Sequence, residues 1–191
     1  MDKRMNSTKF DVYWNELAPR EHLLHLYDSE DLLLETLEGF IAGGLRGSDS
    51  VVVIATEEHL SALEDRLGGS GLRLDAARKE NRYVPFVAEE ALEKFMLGNW
   101  PDEALFMEFV GAAIRRAQGN GRGVRAFGQM VALLWAQGNK NATIVLEQLW
   151  HRLCATSGLS LLCAYPQLSV LGDGSPSQKD IRALHTLTVE N

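Results

Sequence analysis

The feature that most constrains the fold is a set of uninterrupted apolar strands that alternate with amphipathic helices. The runs "VVVIA" (51–55) and "LLCAY" (161–165) show no alternation of apolar and polar residues. Such strands are covered on both faces, as in parallel sheets. Between them lie segments with apolar residues at helical spacing, such as Leu33, Leu37 and Phe40. The sequence therefore predicts an α/β fold in which a mostly parallel central sheet is flanked by helices on both faces.

The chain is predicted to form one domain with two short extensions. Residues 1–20 lack periodicity and are expected to form an N-terminal arm. The strand–helix alternation occupies residues 21–168. Residues 169–191 are expected to form a tail with a short amphipathic helix, packed on the same domain.

Local signals mark the ends of several elements. The first helix is predicted over residues 29–45, with Ser29 as its N-cap and Gly43-Gly44 at its end. Pro85 cannot donate a ladder hydrogen bond, so the weak strand "YVPFV" is expected at an edge or an end. The last clear strand is "LSLLCAYP".

Composition excludes several classes of function. The 191 residues contain 19 Lys and Arg against 26 Asp and Glu, a net charge of -7, which argues against binding nucleic acid. No apolar run approaches the roughly 20 residues of a membrane span, and the N-terminus does not resemble a signal peptide. We therefore expect a cytoplasmic protein that does not bind membranes. Cys154 and Cys163 are expected to be free buried thiols that form no zinc site.

The turn after the first strand is acidic, where nucleotide-binding α/β proteins carry a phosphate loop. It reads Tyr27-Asp28-Ser29-Glu30-Asp31, and neither G-x-x-x-x-G-K-[ST] nor G-x-G-x-x-G occurs anywhere. Carboxylates at a helix N-terminus interact well with the helix dipole and repel phosphate. No nucleophile–base pair, paired carboxylates or metal-ligand cluster is recognisable. We therefore predict a non-enzymatic protein with no catalytic residues, bound metal or cofactor.

Two charges interrupt apolar segments. Arg125 lies in the strand "GVRAFG" and Glu147 lies in the helix "TIVLEQLW". A buried guanidinium needs a partner, so the two are predicted to pair. The pair either fixes the helix to the sheet or lines a cavity that meets a polar ligand group. His151, one helical turn after Glu147, either extends this polar strip or forms a surface pair.

Histidine and tryptophan residues leave further alternatives open. His22 and His25 point to opposite faces of the first strand, and each is either a core histidine or a ligand contact. Trp135 and Trp150 lie on long apolar helix faces. These rings indicate core packing or a helix–helix interface, with an apolar ligand pocket as the alternative.

Five blocks, taken together and in order, resemble the MEDS domain, the methanogen/methylotroph sensory domain. They are "EHLLHLYDSEDLL", "FIAGGLRGSDSVVVIAT", "RYVPFVAEEALEKFM", "VRAFGQMVALLWAQGN" and "LEQLWHRLCATSGLSLLCAYP". The resemblance extends from Glu21 to Tyr165, with a weaker echo in the tail "IRALHTL". Domains of this family occur alone and ahead of histidine kinases and transcription regulators. The resemblance implies a RecA/KaiC-like, three-layer α/β sandwich that lacks the phosphate loop.

The family motifs match this sequence with two departures. Gln129 stands where the family has Glu in its "R-x-x-G-E-M" block, which removes a carboxylate from the end of a strand. His151 stands where the family has Asn after "L-E-x-L-W". The matching positions are His22, Tyr27, Arg125, Gly128, Glu147 and Trp150.

The resemblance implies a sensory domain that binds a small molecule at the carboxyl-terminal edge of the sheet. It would signal to a histidine kinase or a transcription regulator, and a homodimer is a further option. The alternative is a protein–protein interaction module with a vestigial nucleotide site, docking through Trp135 and Trp150. The expected ligand contacts are His22, Tyr27, Arg125, Gln129, Glu147 and His151.

Overall fold

A computed structural model describes residue 14 and residues 17–171 and 176–190, and it contains eight strands in that part of the chain. The strands are β1 (His22–Tyr27), β2 (Ser50–Ala55), β3 (Tyr83–Val87), β4 (Met96–Leu97), β5 (Trp100–Pro101), β6 (Val124–Gly128), β7 (Ser160–Pro166) and β8 (Leu187–Glu190). Six of them form one sheet in the order β3-β2-β6-β7-β1-β8, and all neighbouring strands are parallel. Strands β4 and β5 form a separate antiparallel pair.

The principal helices cover both faces of this sheet. They are α1 (Glu30–Arg46), α2 (Glu57–Gly69), α3 (Leu74–Lys79), α4 (Ala88–Glu93), α5 (Glu103–Gln118), α6 (Met130–Ala136), α7 (Lys140–Ser157), α8 (Gln167–Leu171) and α9 (Pro176–Leu184). One apolar layer packs α1, α2 and α3 against the sheet. The other packs α4 to α7 and α9 against the opposite face. The predicted three-layer sandwich with a mostly parallel sheet is therefore confirmed.

The strands are buried because their side chains enter both layers alternately. In β1, Leu24 and Leu26 join the layer of α7, whereas Leu23 and Tyr27 join the layer of α1. A strand buried on both faces has no position for a solvated side chain, which explains the uninterrupted apolar runs. No helix among the described residues is both long and apolar enough to span a membrane.

Helix α1 begins as predicted and ends later than predicted. The side chain of Ser29 accepts a hydrogen bond from the Leu32 N–H at 3.3 Å, which is the expected N-cap. The helix continues through Gly43-Gly44 to Arg46, so the predicted end was wrong. A Cβ at Gly44 would lie 2.8 Å from Cδ of Arg125 and 3.2 Å from Cγ2 of Val51. Gly44 therefore permits close approach between helix and sheet, and does not terminate the helix.

The ends of the chain differ most from the sequence interpretation. Strand β3, which carries Pro85, lies at one edge of the sheet as expected. At the other edge, β8 pairs with β1, and the sequence pattern did not predict this strand. Helix α9 lies in the predicted tail, where Ile181 is completely buried. Of the predicted arm, only Trp14 and residues 17–20 belong to the described part of the chain.

Candidate functional site

The predicted ligand contacts fall into three separate places. Tyr27 is the last residue of β1 and Gln129 directly follows β6, so both lie at the carboxyl edge of the sheet. Arg125 lies near the start of β6, on the face covered by α1. The third place lies on the face covered by α7, and it contains His22, Glu147 and, at its surface, His151. One cavity at the sheet edge therefore does not gather all six residues.

Arg125 pairs with Asp49, and the predicted pair with Glu147 was wrong. Its Nε donates to the Asp49 carboxylate at 3.0 Å, and its Nη1 donates to the carbonyl oxygens of Trp14 at 2.6 Å and Phe40 at 3.2 Å. The sheet explains the error, since Arg125 lies on the α1 face and Glu147 on the α7 face. The buried guanidinium joins the N-terminal segment, α1 and the turn before β2.

Gln129 lies at the centre of a hydrogen-bonded network at the carboxyl edge. Its Oε1 accepts from the Thr56 N–H at 3.1 Å and from Nδ1 of His59 at 3.0 Å. Nε2 of His59 contacts the Glu30 carboxylate. Both ring nitrogens of His59 thus face side-chain oxygens. The network connects the ends of β2 and β6 to the first turns of α1 and α2.

Tyr27 adds a neutral phenol to the same edge. Its side chain is almost completely buried, and burial together with the nearby Glu30 carboxylate raises the Tyr27 pKa to about 12. The ring of His25 lies 5.9 Å from the Tyr27 ring, on the same face of β1. Burial lowers the pKa of His25 to about 4, so that ring is neutral at pH 7. The predicted separation of His22 and His25 onto opposite faces of β1 is confirmed.

A second polar cluster is enclosed between the sheet and the helices α7 and α9. Glu147 is completely buried, and its Oε2 lies 3.3 Å from Nε2 of His22 and 3.6 Å from Nε2 of His185. The Cys163 thiol donates to the same oxygen at 3.4 Å. The Tyr165 hydroxyl donates to Oε1 at 2.5 Å. Four side chains from three parts of the chain, β1, β7 and the segment between α9 and β8, thus surround the Glu147 carboxylate.

The protonation states of this cluster follow from its surroundings. Burial raises the pKa of Glu147, but the effects of His185, His22 and Tyr165 outweigh burial and lower it to about 2. Burial and the Glu147 charge raise the pKa values of Cys163 and Tyr165 well above their usual ranges. Burial also lowers the pKa of His185, against the opposing effect of Glu147. The cluster therefore holds one carboxylate beside a thiol and a phenol.

His151 lies at the surface, and the two tryptophans are buried in the core. His151 is exposed, its ring lies 5.9 Å from that of His22, and its Nδ1–H donates to the Leu184 carbonyl at 3.0 Å. Trp150 is completely buried, and its ring packs edge-on against Phe106. Trp135 is 5% exposed, and its Nε1 donates to the Ser169 carbonyl. Both tryptophans pack in the core of their own chain, which is one of the alternatives that the sequence left open.

Sequence reasoning missed two histidines that complete these groups. His59 lies in the first turn of α2, just beyond the carboxyl end of β2. That position in the sequence could have indicated a residue of the sheet edge. His185 follows α9 in the tail segment "IRALHTL". The only indication in the sequence was the weak resemblance of this segment to the family. The sequence predicted no metal-ligand cluster, but the fold gathers four potential metal ligands. They are His22, Glu147, Cys163 and His185, whose ligand atoms all lie within 4.8 Å of one another.

Carboxylates dominate the carboxyl edge around Gln129. Glu30 and Asp31 occupy the first turn of α1, and Glu57 and Glu58 occupy the first turn of α2. Of these, Asp31 pairs with Arg66 at 2.9 Å. Negative charge at both helix N-termini opposes the binding of phosphate groups there.

Comparisons with known proteins agree on family and fold. Residues 21–186 match the family model described as MEDS, the methanogen/methylotroph, DcmR sensory domain. A KaiC-like protein from the hyperthermophilic archaeon Pyrococcus horikoshii OT3 is similar in structure, with a TM-score of 0.60, 11% identity, and coverage of 90% of this chain and 73% of that chain. The protein PH0250 from the same organism has a TM-score of 0.59 and 14% identity, with coverage of 97% and 87%. A search of curated proteins found no significant match. The expected KaiC-like RecA fold is therefore confirmed.

Proposed function

This chain belongs to the MEDS family of sensory domains, and on that premise we propose that it is a non-enzymatic signal-transduction domain. It binds a small molecule at the carboxyl-terminal edge of its sheet. It acts in the cytoplasm and signals to a histidine kinase or a transcription regulator. Binding shifts the conformational equilibrium that the partner reads.

The observation that carries the proposal is the network around Gln129. In open parallel sheets, ligands bind beyond the carboxyl ends of the strands. Here that position holds buried or half-buried polar groups, namely Gln129, His59 and Thr56, in contact with the exposed Glu30. Tyr27 adds a phenol at the end of β1. A ligand that displaces the Glu30 side chain would gain Nε2 of His59 as a hydrogen-bond partner.

The charge of this edge limits the chemistry of the ligand. The carboxylates of Glu30, Glu57 and Glu58 lie in the first turns of two helices, where a phosphate would otherwise bind. A nucleotide would meet like charges, and like charges at short range oppose binding. We therefore expect a neutral or cationic small molecule with a hydroxyl, amide or amine group.

Thermal denaturation in the presence of a compound panel tests the proposal. The panel contains small alcohols, amides and amines, with ATP and inorganic phosphate as the anionic members. A true ligand at 100 times its Kd should stabilise the fold by about 2.7 kcal/mol. We expect at least one neutral or cationic compound to raise the Tm and the anions to leave it unchanged.

Matched glutamine variants locate the binding. Gln129→Leu removes the acceptor shared by Thr56 and His59, and it should abolish the ligand-induced rise in Tm. Gln137→Leu changes an exposed glutamine after α6 and should retain it. A panel without any effect on wild type, a larger effect of ATP, or equal behaviour of the two variants would contradict the proposal.

A second candidate is a protein–protein interaction module without a small ligand. An exposed apolar pair on the β4–β5 hairpin favours it, since Leu97 is 61% and Trp100 is 51% exposed and the two are cross-strand partners. This alternative predicts self-association that depends on protein concentration in sedimentation experiments. Trp100→Ser should weaken that association. A monomer at all concentrations would speak against it.

A further inference from the structure

We propose that His22, Glu147, Cys163 and His185 bind a divalent transition-metal ion, and that the donor set selects Zn²⁺. This site is separate from the ligand site proposed above, because the four side chains lie on the α7 side of the sheet. It also stands independently of any signalling role. Three lines of observation carry the inference: the spacing of the donor atoms, a buried ring nitrogen without a hydrogen bond, and the contacts that orient two of the ligands.

The spacing of the donor atoms matches the edges of a coordination tetrahedron. Bond lengths of about 2.0 Å to nitrogen or oxygen and about 2.3 Å to sulfur require ligand–ligand distances of about 3.3–3.6 Å. Oε2 of Glu147 lies 3.3 Å from Nε2 of His22, 3.4 Å from Sγ of Cys163 and 3.6 Å from Nε2 of His185. Sγ of Cys163 lies 3.5 Å from Nε2 of His22. Four of the six edges thus already have the required length, and the remaining two are within 4.8 Å.

His185 directs a buried ring nitrogen into this space. Its Nδ1–H donates to the Ile181 carbonyl oxygen at 2.6 Å, and Nε2 on the other side of the ring faces the Glu147 carboxylate. Among the described residues Nε2 has no hydrogen-bond partner, and the side chain is completely buried. Its neighbour at 3.6 Å is Oε2 of Glu147. A buried ring nitrogen without a hydrogen bond is unfavourable, whereas a metal ion between this nitrogen and Oε2 would be a partner for both atoms.

Surrounding contacts orient His185 and Glu147 in the manner of ligands at known metal sites. Metal-binding histidines generally donate their second N–H to a carbonyl or carboxylate, as His185 does to Ile181. Ligating carboxylates are hydrogen-bonded as well. The Tyr165 hydroxyl donates to Oε1 of Glu147, and Oε2 is directed at the other three ligands.

The donor set identifies the class of ion. A thiolate and two imidazoles exclude Mg²⁺ and Ca²⁺, which prefer oxygen ligands, and favour zinc or a neighbouring first-row ion. Four protein donors fill a tetrahedral shell, as in structural zinc sites. On binding, the sulfur of Cys163 forms the bond to the metal, and the thiol proton leaves to solvent.

The ion would join elements that are far apart in sequence. His22 begins β1, Glu147 lies in α7, Cys163 lies in β7, and His185 lies between α9 and β8. Bound metal would therefore fasten the C-terminal segment, including the edge strand β8, to the centre of the domain. This predicts that hydrogen exchange of the β8 amides slows when metal is bound.

Cobalt substitution of the full chain tests the site. After chelation and dialysis, Co²⁺ titration should give a thiolate-to-cobalt charge-transfer band and strong visible bands of tetrahedral cobalt, saturating at one ion per chain. Zn²⁺ should displace the cobalt and raise the Tm. Cys163→Ser should eliminate the charge-transfer band. His185→Gln should weaken binding by at least about tenfold.

Matched controls make each outcome decisive. Cys154→Ser removes the other buried cysteine, and His151→Gln removes the exposed neighbour of His22, so both should retain the band and one ion per chain. If Cys163→Ser does not fold, His185→Gln and the hydrogen exchange of wild-type β8 with and without metal provide the answer. Folded wild type that binds no stoichiometric ion, or a band lost in Cys154→Ser and kept in Cys163→Ser, would overturn the proposal. The small-molecule panel described above is tested with the Gln129→Leu variant. Its outcome does not depend on whether the chain binds metal.

Discussion

Replacing Arg125 by methionine should lower the free energy of unfolding by about 3–5 kcal/mol, the range for breaking a buried ion pair from one side. The side chain is 5% exposed, so water cannot replace the guanidinium as a hydrogen-bond donor to its buried acceptors. Methionine keeps most of the aliphatic stem beside Gly44 and removes only the charged group. The experiment therefore isolates the polar contacts from the packing.

The magnitude follows from three hydrogen bonds. The guanidinium donates to the Asp49 carboxylate and to the carbonyl oxygens of Trp14 and Phe40. Bonds that involve a charged group contribute about 1.5–3 kcal/mol each. The lower end applies here, because Asp49 is 29% exposed and stays partly solvated, and because the variant no longer buries a cation. Three bonds at that value give a loss of about 4–5 kcal/mol.

Urea unfolding followed by circular dichroism measures this loss, and a double-mutant cycle identifies the partner. Arg125→Met and Asp49→Asn should couple by about 1–3 kcal/mol, as contacting residues do. Arg125→Met and Glu147→Gln should be additive within about 0.5 kcal/mol, because the sheet separates them. Arg152→Met, which breaks an exposed pair with Glu103, should cost less than about 1 kcal/mol.

Two results would refute the reasoning. A loss below about 1 kcal/mol for Arg125→Met would mean that the guanidinium is not buried among these three acceptors. Coupling to Glu147 with none to Asp49 would restore the pair that the sequence suggested and would contradict the observed topology.

Two further predictions concern packing and pH. Gly128→Ala should cost about 1–3 kcal/mol in urea unfolding, because the new methyl group would lie 3.1 Å from the Trp150 ring, and Trp150→Phe should reduce that cost. An equal cost in both backgrounds would count against this contact. Burial lowers the pKa of His25 to about 4, below the unfolded value of 6.5, so stability should fall by about 3 kcal/mol as pH drops from 6.5 to 4. His25→Phe should flatten this part of the pH profile, and an unchanged slope would exclude His25 as its source.

The candidate sites were only partly predictable. Gln129 and Tyr27 could be placed at the carboxyl edge, because that edge follows from strand direction alone. His59 was overlooked because a histidine in a first helical turn looks like any surface residue until Gln129 lies beside it. The partner of Arg125 could not be found from the pattern either. Alternation shows that successive side chains point to opposite faces, but it does not show which helix covers each face.

The sequence by itself determined the class of fold, the cap at Ser29, the edge position of β3 and the family, because each rests on a local pattern or on ordered motifs. Only the tertiary structure decided which polar side chains meet. His22, Glu147, Cys163 and His185 are far apart in the chain and come together where a parallel sheet, α7 and the C-terminal segment converge. The spacing of these residues along the chain does not predict the cluster. The geometry of the cluster depends on the strand order and on which face of the sheet each crossover helix covers.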